Sequence, residues 1–299
     1  MNLKPSVSVV MGVYNGEKYL RDTINSILSQ TFKDFEFIIV NDGSTDNTGE
    51  ILQEYAKKDP RVKIIEQENQ GLTRALIAGC KMVQGKYIAR QDCGDISMPE
   101  RLAKQLERIN ADKGIALVSC SVNFFGPAGE FVFSSSSKPD DKLALRGISW
   151  HGTAFFPREL YKNSGGYRSE FYFAQDLDLW ARLAKYGKVS DCPEVLYEAR
   201  VQKGDISGIY RKEQAVLTKI IYALRDLKPE GQKYRQLLHK ASLIRPKGKK
   251  EVSRFRKAEQ MYFLGRCLKS QGNPRCKYYL WQCIKLNHFH IKAWISLLI

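Results

Sequence analysis

Histidine and paired cysteine are what this chain has least of. Its 299 residues include four histidines and seven cysteines, an odd number with no Cys-x-x-Cys pair. That supply excludes a zinc finger, a histidine-rich metal centre and a disulfide framework, and the cysteines read as small thiols in a reducing compartment. Long apolar runs are missing as well: no stretch approaches the roughly 18 consecutive apolar residues of a membrane span. The opening Met1-Asn2-Leu3-Lys4-Pro5 enters a strand pattern without the apolar region of a signal peptide, so the expected location is the cytoplasm. Two phosphate-binding signatures are absent. After the first apolar run the sequence reads Gly12-Val13-Tyr14-Asn15-Gly16, which lacks the Gly-x-Gly-x-x-Gly spacing, and no glycine loop ends in Gly-Lys-Ser or Gly-Lys-Thr. Any phosphate must be held by other means.

Acidic residues are scarce in one region only. Residues 200–299 hold 23 Lys and Arg against 6 Asp and Glu, a net of +17, which leaves 25 against 26, a net of −1, for residues 1–199 of a chain whose charge is +16. This basic third carries no zinc finger, RRM core or helix-turn-helix signature, so nucleic acid is not an expected partner. Peripheral attraction to an anionic membrane surface is the simpler consequence.

What is present, 43% hydrophobic and 27% charged residues, fits a folded globular protein with one main domain and an appendage. Val7–Val13 is a buried-strand run, and Glu17–Gln30 keeps helical spacing through Leu20, Ile24, Ile27 and Leu28. Phe35–Val40 is a second strand, followed by a helix capped at Asp46 or Asn47 and ending near Lys58. Arg61–Ile65, Gly71–Val83 and Lys86–Ala89 continue the strand and helix alternation. Such a rhythm with short connections predicts parallel strands joined by right-handed crossovers. Met98-Pro99-Glu100 opens a helix to Asn110, Ile115–Cys120 is strand-like, and Val122–Phe133 is a hairpin broken by Gly126-Pro127-Ala128-Gly129. Ser134–Ser137 reads as a mobile loop, Gln175–Leu183 as an acid-bearing helix, and Val195–Val201 as the last strand. These boundaries give a main domain over 1–205 and a basic helical region over 206–299, with a linker at Arg245–Lys250. Within the second, residues 258–298 form one tetratricopeptide-like hairpin, which cannot bury its own face and should pack on the main domain or on a partner.

Two strands drive directly into acids: Ile38-Ile39-Val40-Asn41-Asp42-Gly43-Ser44 and Tyr87-Ile88-Ala89-Arg90-Gln91-Asp92-Cys93-Gly94-Asp95. A carboxylate just past a buried strand sits at the carboxyl edge of an open sheet, where α/β folds bind ligands. With Val13-Tyr14-Asn15, Asn69-Gln70-Gly71-Leu72, His151-Gly152-Thr153, Gly165-Gly166-Tyr167 and Gln175-Asp176-x-Asp178-Leu179-Trp180-x-Arg182, these motifs resemble, in order, the family 2 glycosyltransferases of GT-A fold. The resemblance covers roughly residues 5 to 202. It implies a Rossmann-like nucleotide-binding α/β sheet, mostly parallel and flanked by helices, to which the all-α extension is added. It also implies transfer of a sugar, with inversion, from a nucleotide-sugar donor to a glycan or lipid-linked acceptor in polysaccharide biosynthesis.

Carried over residue by residue, Val13, Tyr14 and Asn15 would line the base and ribose pocket, and Asp42 would accept a hydrogen bond from the base. A carboxylate accepts from a ring N–H such as that of uracil or thymine, which favours a UDP- or TDP-sugar. The alternative for Asp42 is a turn aspartate capping Ser44 or Thr45. Arg74, Arg90 and Lys203 would be donor-binding cations, with Arg200-Val201-Gln202-Lys203 and Ser207 resembling the loop that closes over the diphosphate. Asp176 matches the base that takes the acceptor's proton. Its usual preceding glutamate is Gln175, which removes a negative charge and would lower the Asp176 pKa. Asp178 would face away and pair with Arg182. Trp150 and His151 fall on the acceptor side, where the histidine could equally be structural, and Trp180 reads as core packing.

The chain departs from the family at the metal. Where relatives read Asp-x-Asp-Asp, this one reads Asp92-Cys93-Gly94-Asp95, so the second carboxylate is missing. Three outcomes follow: Asp92 and Asp95 hold a weakened Mg²⁺ or Mn²⁺ site, cations such as Arg90 and Lys203 replace the ion, or the chain binds a nucleotide-sugar without turning it over.

Overall fold

The computed structural model describes residues 4–127, 129–135, 150–201, 210–246 and 253–298. Lys203, with Gln202 and Ser207, lies outside these residues, as do Ser136, Ser137 and part of the expected linker. The first half alternates as the apolar periodicity requires: β1 (Val7–Val13), α1 (Glu17–Leu28), β2 (Phe35–Asp42), α2 (Thr48–Lys58), β3 (Val62–Gln67), α3 (Leu72–Lys81) and β4 (Tyr87–Arg90). β1 and β2 are apolar almost throughout because helices cover both faces of the sheet, as in other parallel sheets. The four strands run parallel in the order β3-β2-β1-β4, with Val9 opposite Phe37 on one side and Ala89 on the other.

Beyond β4 the sheet becomes mixed, with antiparallel strands joining the parallel ones. β5 (Ile96–Ser97), α4 (Arg101–Ala111), β6 (Ile115–Phe125), β7 (Phe131–Ser135), a 3-10 turn (His151–Thr153), β8 (Phe155–Pro157), α5 (Arg158–Asn163), α6 (Gln175–Leu183) and β9 (Lys188–Arg200) follow. The full order is β3-β2-β1-β4-β8-β6-β9-β5, with β7 against β6. Only β6 and β9 pair in parallel here, while β8, β7 and β5 are antiparallel to their neighbours. β5 and β8 are too short to leave a readable pattern. Ser134 and Ser135, read as loop, complete β7 opposite Asn123 and Val122. β9 begins at Lys188 rather than Val195, because the ladder jumps from Cys120–Cys192 to Ser121–Val195 and leaves Pro193 and Glu194 unpaired. Proline has no N–H for a ladder, and bulges of this kind accommodate it.

The sheet separates two apolar cores. Leu20, Ile24, Ile27, Leu102 and Ile109 pack under one face, and Leu76, Leu179, Trp180, Leu217 and Ile221 under the other. Gly79 lets α3 lie close to the sheet: a Cβ there would stand 2.8 Å from Val10 Cγ1. The C-terminal helices are α7 (Arg211–Arg225), α8 (Gln232–Ser242), α9 (Arg254–Ser270), α10 (Cys276–Leu286) and α11 (Ile291–Leu298). α9 and α10 pack as a helical hairpin that α11 follows, with Leu264 and Leu268 buried in one cluster with Leu280 and Ile284. It is seated on the β6–β7 hairpin: Phe263 meets Phe133 edge-on at 6.0 Å, Tyr279 donates to Glu130, and Gln271 donates to the Val132 carbonyl.

Candidate active site

β1 has β2 on one side and β4 on the other, so the chain reverses direction across the sheet at β1, and a crevice opens at the carboxyl ends of these strands. The crevice is a cleft of about 890 Å³ whose lining includes Tyr14, Asp42, Asp92, Trp150, Tyr172 and Asp176. Asp42, Asp92 and Asp176, far apart in sequence, thus share one cavity, with Asp95 also in its lining.

The loops after β1 and β2 are tied to each other. Asn15 sits at φ 51, its N–H donates to Ser44 Oγ at 2.9 Å, and its Oδ1 accepts from the Thr45 N–H at 2.7 Å. Asp42 ends β2 and shapes the loop before α3. Its Oδ1 accepts from Gln67 Nε2 at 2.6 Å and the Gln70 N–H at 2.9 Å, and its Oδ2 from the Gly71 N–H at 2.8 Å. A carboxylate offers about four acceptor positions, so one remains for a ligand donor. Capping of Ser44 falls instead to Asn41 Oδ1, at 3.2 Å.

Beneath the second acidic loop lie two fully buried arginines. Arg90 donates to the Val10 and Gln91 carbonyls, to Asp92 Oδ1, and to His151 Nε2 at 3.2 Å. Arg101 bonds Gln91 Oε1 at 3.0 Å, Ser97 Oγ at 2.7 Å and the Arg90 carbonyl at 2.6 Å. Arg90 therefore does not line the cleft as expected. It fixes Asp92 and His151 from below, which is why its charge is paired inside the protein. His151 also meets Tyr167 Oη at 2.8 Å, and burial, with the Arg90 charge beside it, holds its pKa well below the usual histidine value. It is a neutral acceptor at the cleft floor.

The loop Asp92-Cys93-Gly94-Asp95 folds inward on a glycine. Gly94 has φ 100, which L side chains rarely adopt, and its N–H donates to Thr23 Oγ1 at 3.0 Å. Asp95 is consequently buried, accepting from Trp150 Nε1 at 2.9 Å and the Arg200 N–H at 3.0 Å. Burial, and then the Asp92 charge, push its pKa well above the usual carboxylate range. Asp92 gives one oxygen to Arg90 and keeps the other, Asp95 is engaged, and the described residues contain no cluster of three His, Cys, Asp or Glu that would form an all-protein cage for Mg²⁺ or Mn²⁺. An ion held here would have Asp92 as its protein ligand and would draw its remaining oxygens from donor phosphates and water.

α6 carries the third acid. Ala174 precedes it at φ 54, a strained left-handed position, and Asp176 Oδ1 accepts from the Leu177 N–H at 2.8 Å. Burial raises the Asp176 pKa, the Leu177 N–H offsets this in part, and the Asp92 charge adds to it. The net direction is upward from the ordinary carboxylate value, because burial outweighs the Leu177 N–H. Asp178 turns to the opposite side, where Arg168 and Arg182 both bond it, Arg182 at 2.7 Å. Its pairing with Arg182 was legible in the spacing, that with Arg168 was not. Trp180 packs on Phe156 and His151 at 5.7 and 5.8 Å.

Arg74 is exposed on α3, reaches Gln70 Oε1 at 3.5 Å, and is not part of the cleft lining among the described residues. Among the described residues the lysine and arginine of the cleft lining are Lys18 and Arg200, which flank the Tyr19 ring at 4.8 and 4.3 Å from its centroid. Lys18 had a legible signal, falling in the first turn of the helix that follows Tyr14-Asn15. Gln214 of α7 also reaches the cleft, and Tyr210 stacks on Phe173 at 4.5 Å, so the basic region contributes to the wall.

Residues 8–161 match the family described as Glycosyl transferase family 2. EpsE of Bacillus subtilis (strain 168), named as a glycosyltransferase, is 35% identical over 240 residues, 76% of this chain and 85% of that protein. The hyaluronan synthase of Pasteurella multocida is 30% identical over 212 residues, 70% of this chain but only 22% of the synthase. Among solved structures, S. aureus TarS 1–349 in complex with UDP-GlcNAc superimposes with a TM-score of 0.60 at 20% identity, over 94% of this chain and 89% of that one. That likeness is one of fold.

Proposed function

The chain belongs to Glycosyl transferase family 2 and is a glycosyltransferase, and from that premise we propose that it takes a sugar from a nucleotide-sugar, UDP- or TDP-linked, and transfers it with inversion to a glycan or lipid-linked acceptor in cell-surface polysaccharide synthesis. The observation that carries this reading is the meeting of Asp42, Asp92 and Asp176 in one cleft at the sheet's carboxyl edge. Asp42 offers its remaining acceptor position to the base N–H, with the exposed Tyr14 ring beside it. Asp176, its pKa raised by burial, is suited to take the acceptor's hydroxyl proton while that oxygen attacks the anomeric carbon. The bond from that carbon to the diphosphate breaks, and the electron pair leaves with the nucleoside diphosphate. Lys18 and Arg200 supply positive charge on the same cleft. The UDP-GlcNAc bound by TarS supports the donor class, and the hyaluronan synthase supports a polysaccharide product.

Calorimetric titration with UDP-, TDP- and GDP-sugars, with and without Mg²⁺ or Mn²⁺, tests the reading. Saturable heat with a UDP- or TDP-sugar, accompanied by slow release of nucleoside diphosphate, is the expected result. No binding by any of them would end it. A second reading, a relative that holds the donor without turning it over, is favoured by the engagement of Asp95 and by Gly94, which supplies no carboxylate. Binding with no release under any metal condition would favour that reading instead.

A further inference from the structure

The last helix is built inside out. In α11 the apolar residues Ile291, Trp294, Ile295 and Leu298 recur at i, i+3, i+4 and i+7, the spacing that normally turns a stripe inward. Here that stripe faces solvent: Ile291 is 70% and Leu298 84% exposed, and Phe289, just before the helix, is 89% exposed. The inward position is taken by Ala293. Trp294 packs edge-on against Trp281 of α10 at 5.7 Å, so the surface continues onto the neighbouring helix. A contiguous apolar surface of this kind marks an interaction site.

Charge identifies what it meets. After Glu259 the chain contains no acidic residue, while Arg266, Lys269, Arg275, Lys277, Lys285 and Lys292 all follow. Glu259 itself lies 3.3 Å from His290 Nε2. Lys277, Lys285 and Lys292 are exposed on the two helices that carry the tryptophans. Half-exposed tryptophans beside aliphatic residues, bordered by lysines, suit the headgroup boundary of a bilayer, where indole rings settle and lysine stems reach outward to phosphate. Among the described residues no helix is long and apolar enough to cross a membrane. We infer that α11 and the exposed face of α10 form a docking surface for an anionic phospholipid bilayer, with Ile291, Ile295 and Leu298 entering the acyl boundary and the lysines meeting lipid phosphates. The inference stands apart from the donor reading, since vesicle binding is measured without any nucleotide-sugar.

The test is flotation of the full chain with vesicles of phosphatidylcholine alone or mixed with phosphatidylglycerol. Binding to the anionic vesicles should be at least about tenfold tighter and should weaken as salt is raised, because screening shortens the reach of the lysines. Ile291→Ser combined with Leu298→Ser should weaken it roughly tenfold with helix content unchanged by circular dichroism. Lys285→Glu combined with Lys292→Glu should remove the preference for anionic lipid while leaving the apolar stripe intact. Equal binding to both vesicle types, no binding to either, or undiminished binding by the serine variant would overturn the inference. So would a wild-type dimer in sedimentation that the serine variant converts to monomer, which would make a second copy of the chain the occupant.

Discussion

Helix α6 carries two aspartates, two residues apart, on its two sides. Asp178 is 1% exposed and held by Arg168 and Arg182, so its charge is spent on joining α6 to the segment before it. Asp176 faces the cleft with one backbone donor on it, and burial raises its pKa. The same side chain on the same helix is structural where two arginines meet it and chemically available where none does. Partner supply, rather than residue type, separates scaffold from site.

The largest effect that would sharpen this contrast is on turnover. Asp176→Asn should lower kcat by about 10²- to 10⁴-fold while the urea midpoint and nucleotide affinity stay near wild type; a modest loss would remove Asp176 as the base. Asp178→Asn should do the reverse, costing about 3–5 kcal/mol in urea unfolding because Arg168 and Arg182 are left buried without their counter-charge. If the remaining folded protein were as inactive as the Asp176 variant, the division between the two sides would fail. Gly94→Ala should cost about 1–3 kcal/mol through strain at φ 100, and an unchanged midpoint would show that the loop relaxes. The smallest effect is a displacement of the pH profile. In the proposed mechanism Asp176 works as the carboxylate, and burial raises its pKa, so kcat/KM should fall on acidification at a pH above the ordinary value of 3.8. A limb at or below that value would mean that water reaches Asp176 freely.

The contrast also explains what could be read from residues alone. The parallel half was legible because β1, β2 and β4 are apolar runs punctuated by Asn15-Gly16, Gly43 and Gly94. The mixed half was not, since β5 and β8 span two and three residues. The convergence of Asp42, Asp92 and Asp176 followed from acids at strand ends and from the ordered motifs. The direction of each acid did not, because it depends on donors far away in sequence: Gly71 for Asp42, Trp150 and Arg200 for Asp95, Arg168 for Asp178. Arg90 misled for the same reason. An arginine at a strand end resembles a ligand-binding cation until Val10, Asp92 and His151 are found around it.

The most direct test is a crystal of the complex with a UDP-sugar. The account predicts the uracil against Tyr14 and Asp42, the diphosphate between Asp92 and Arg200, and the anomeric carbon facing Asp176 across the acceptor's space. A nucleotide seated outside this cleft, or an Asp176 turned away from the sugar, would contradict it.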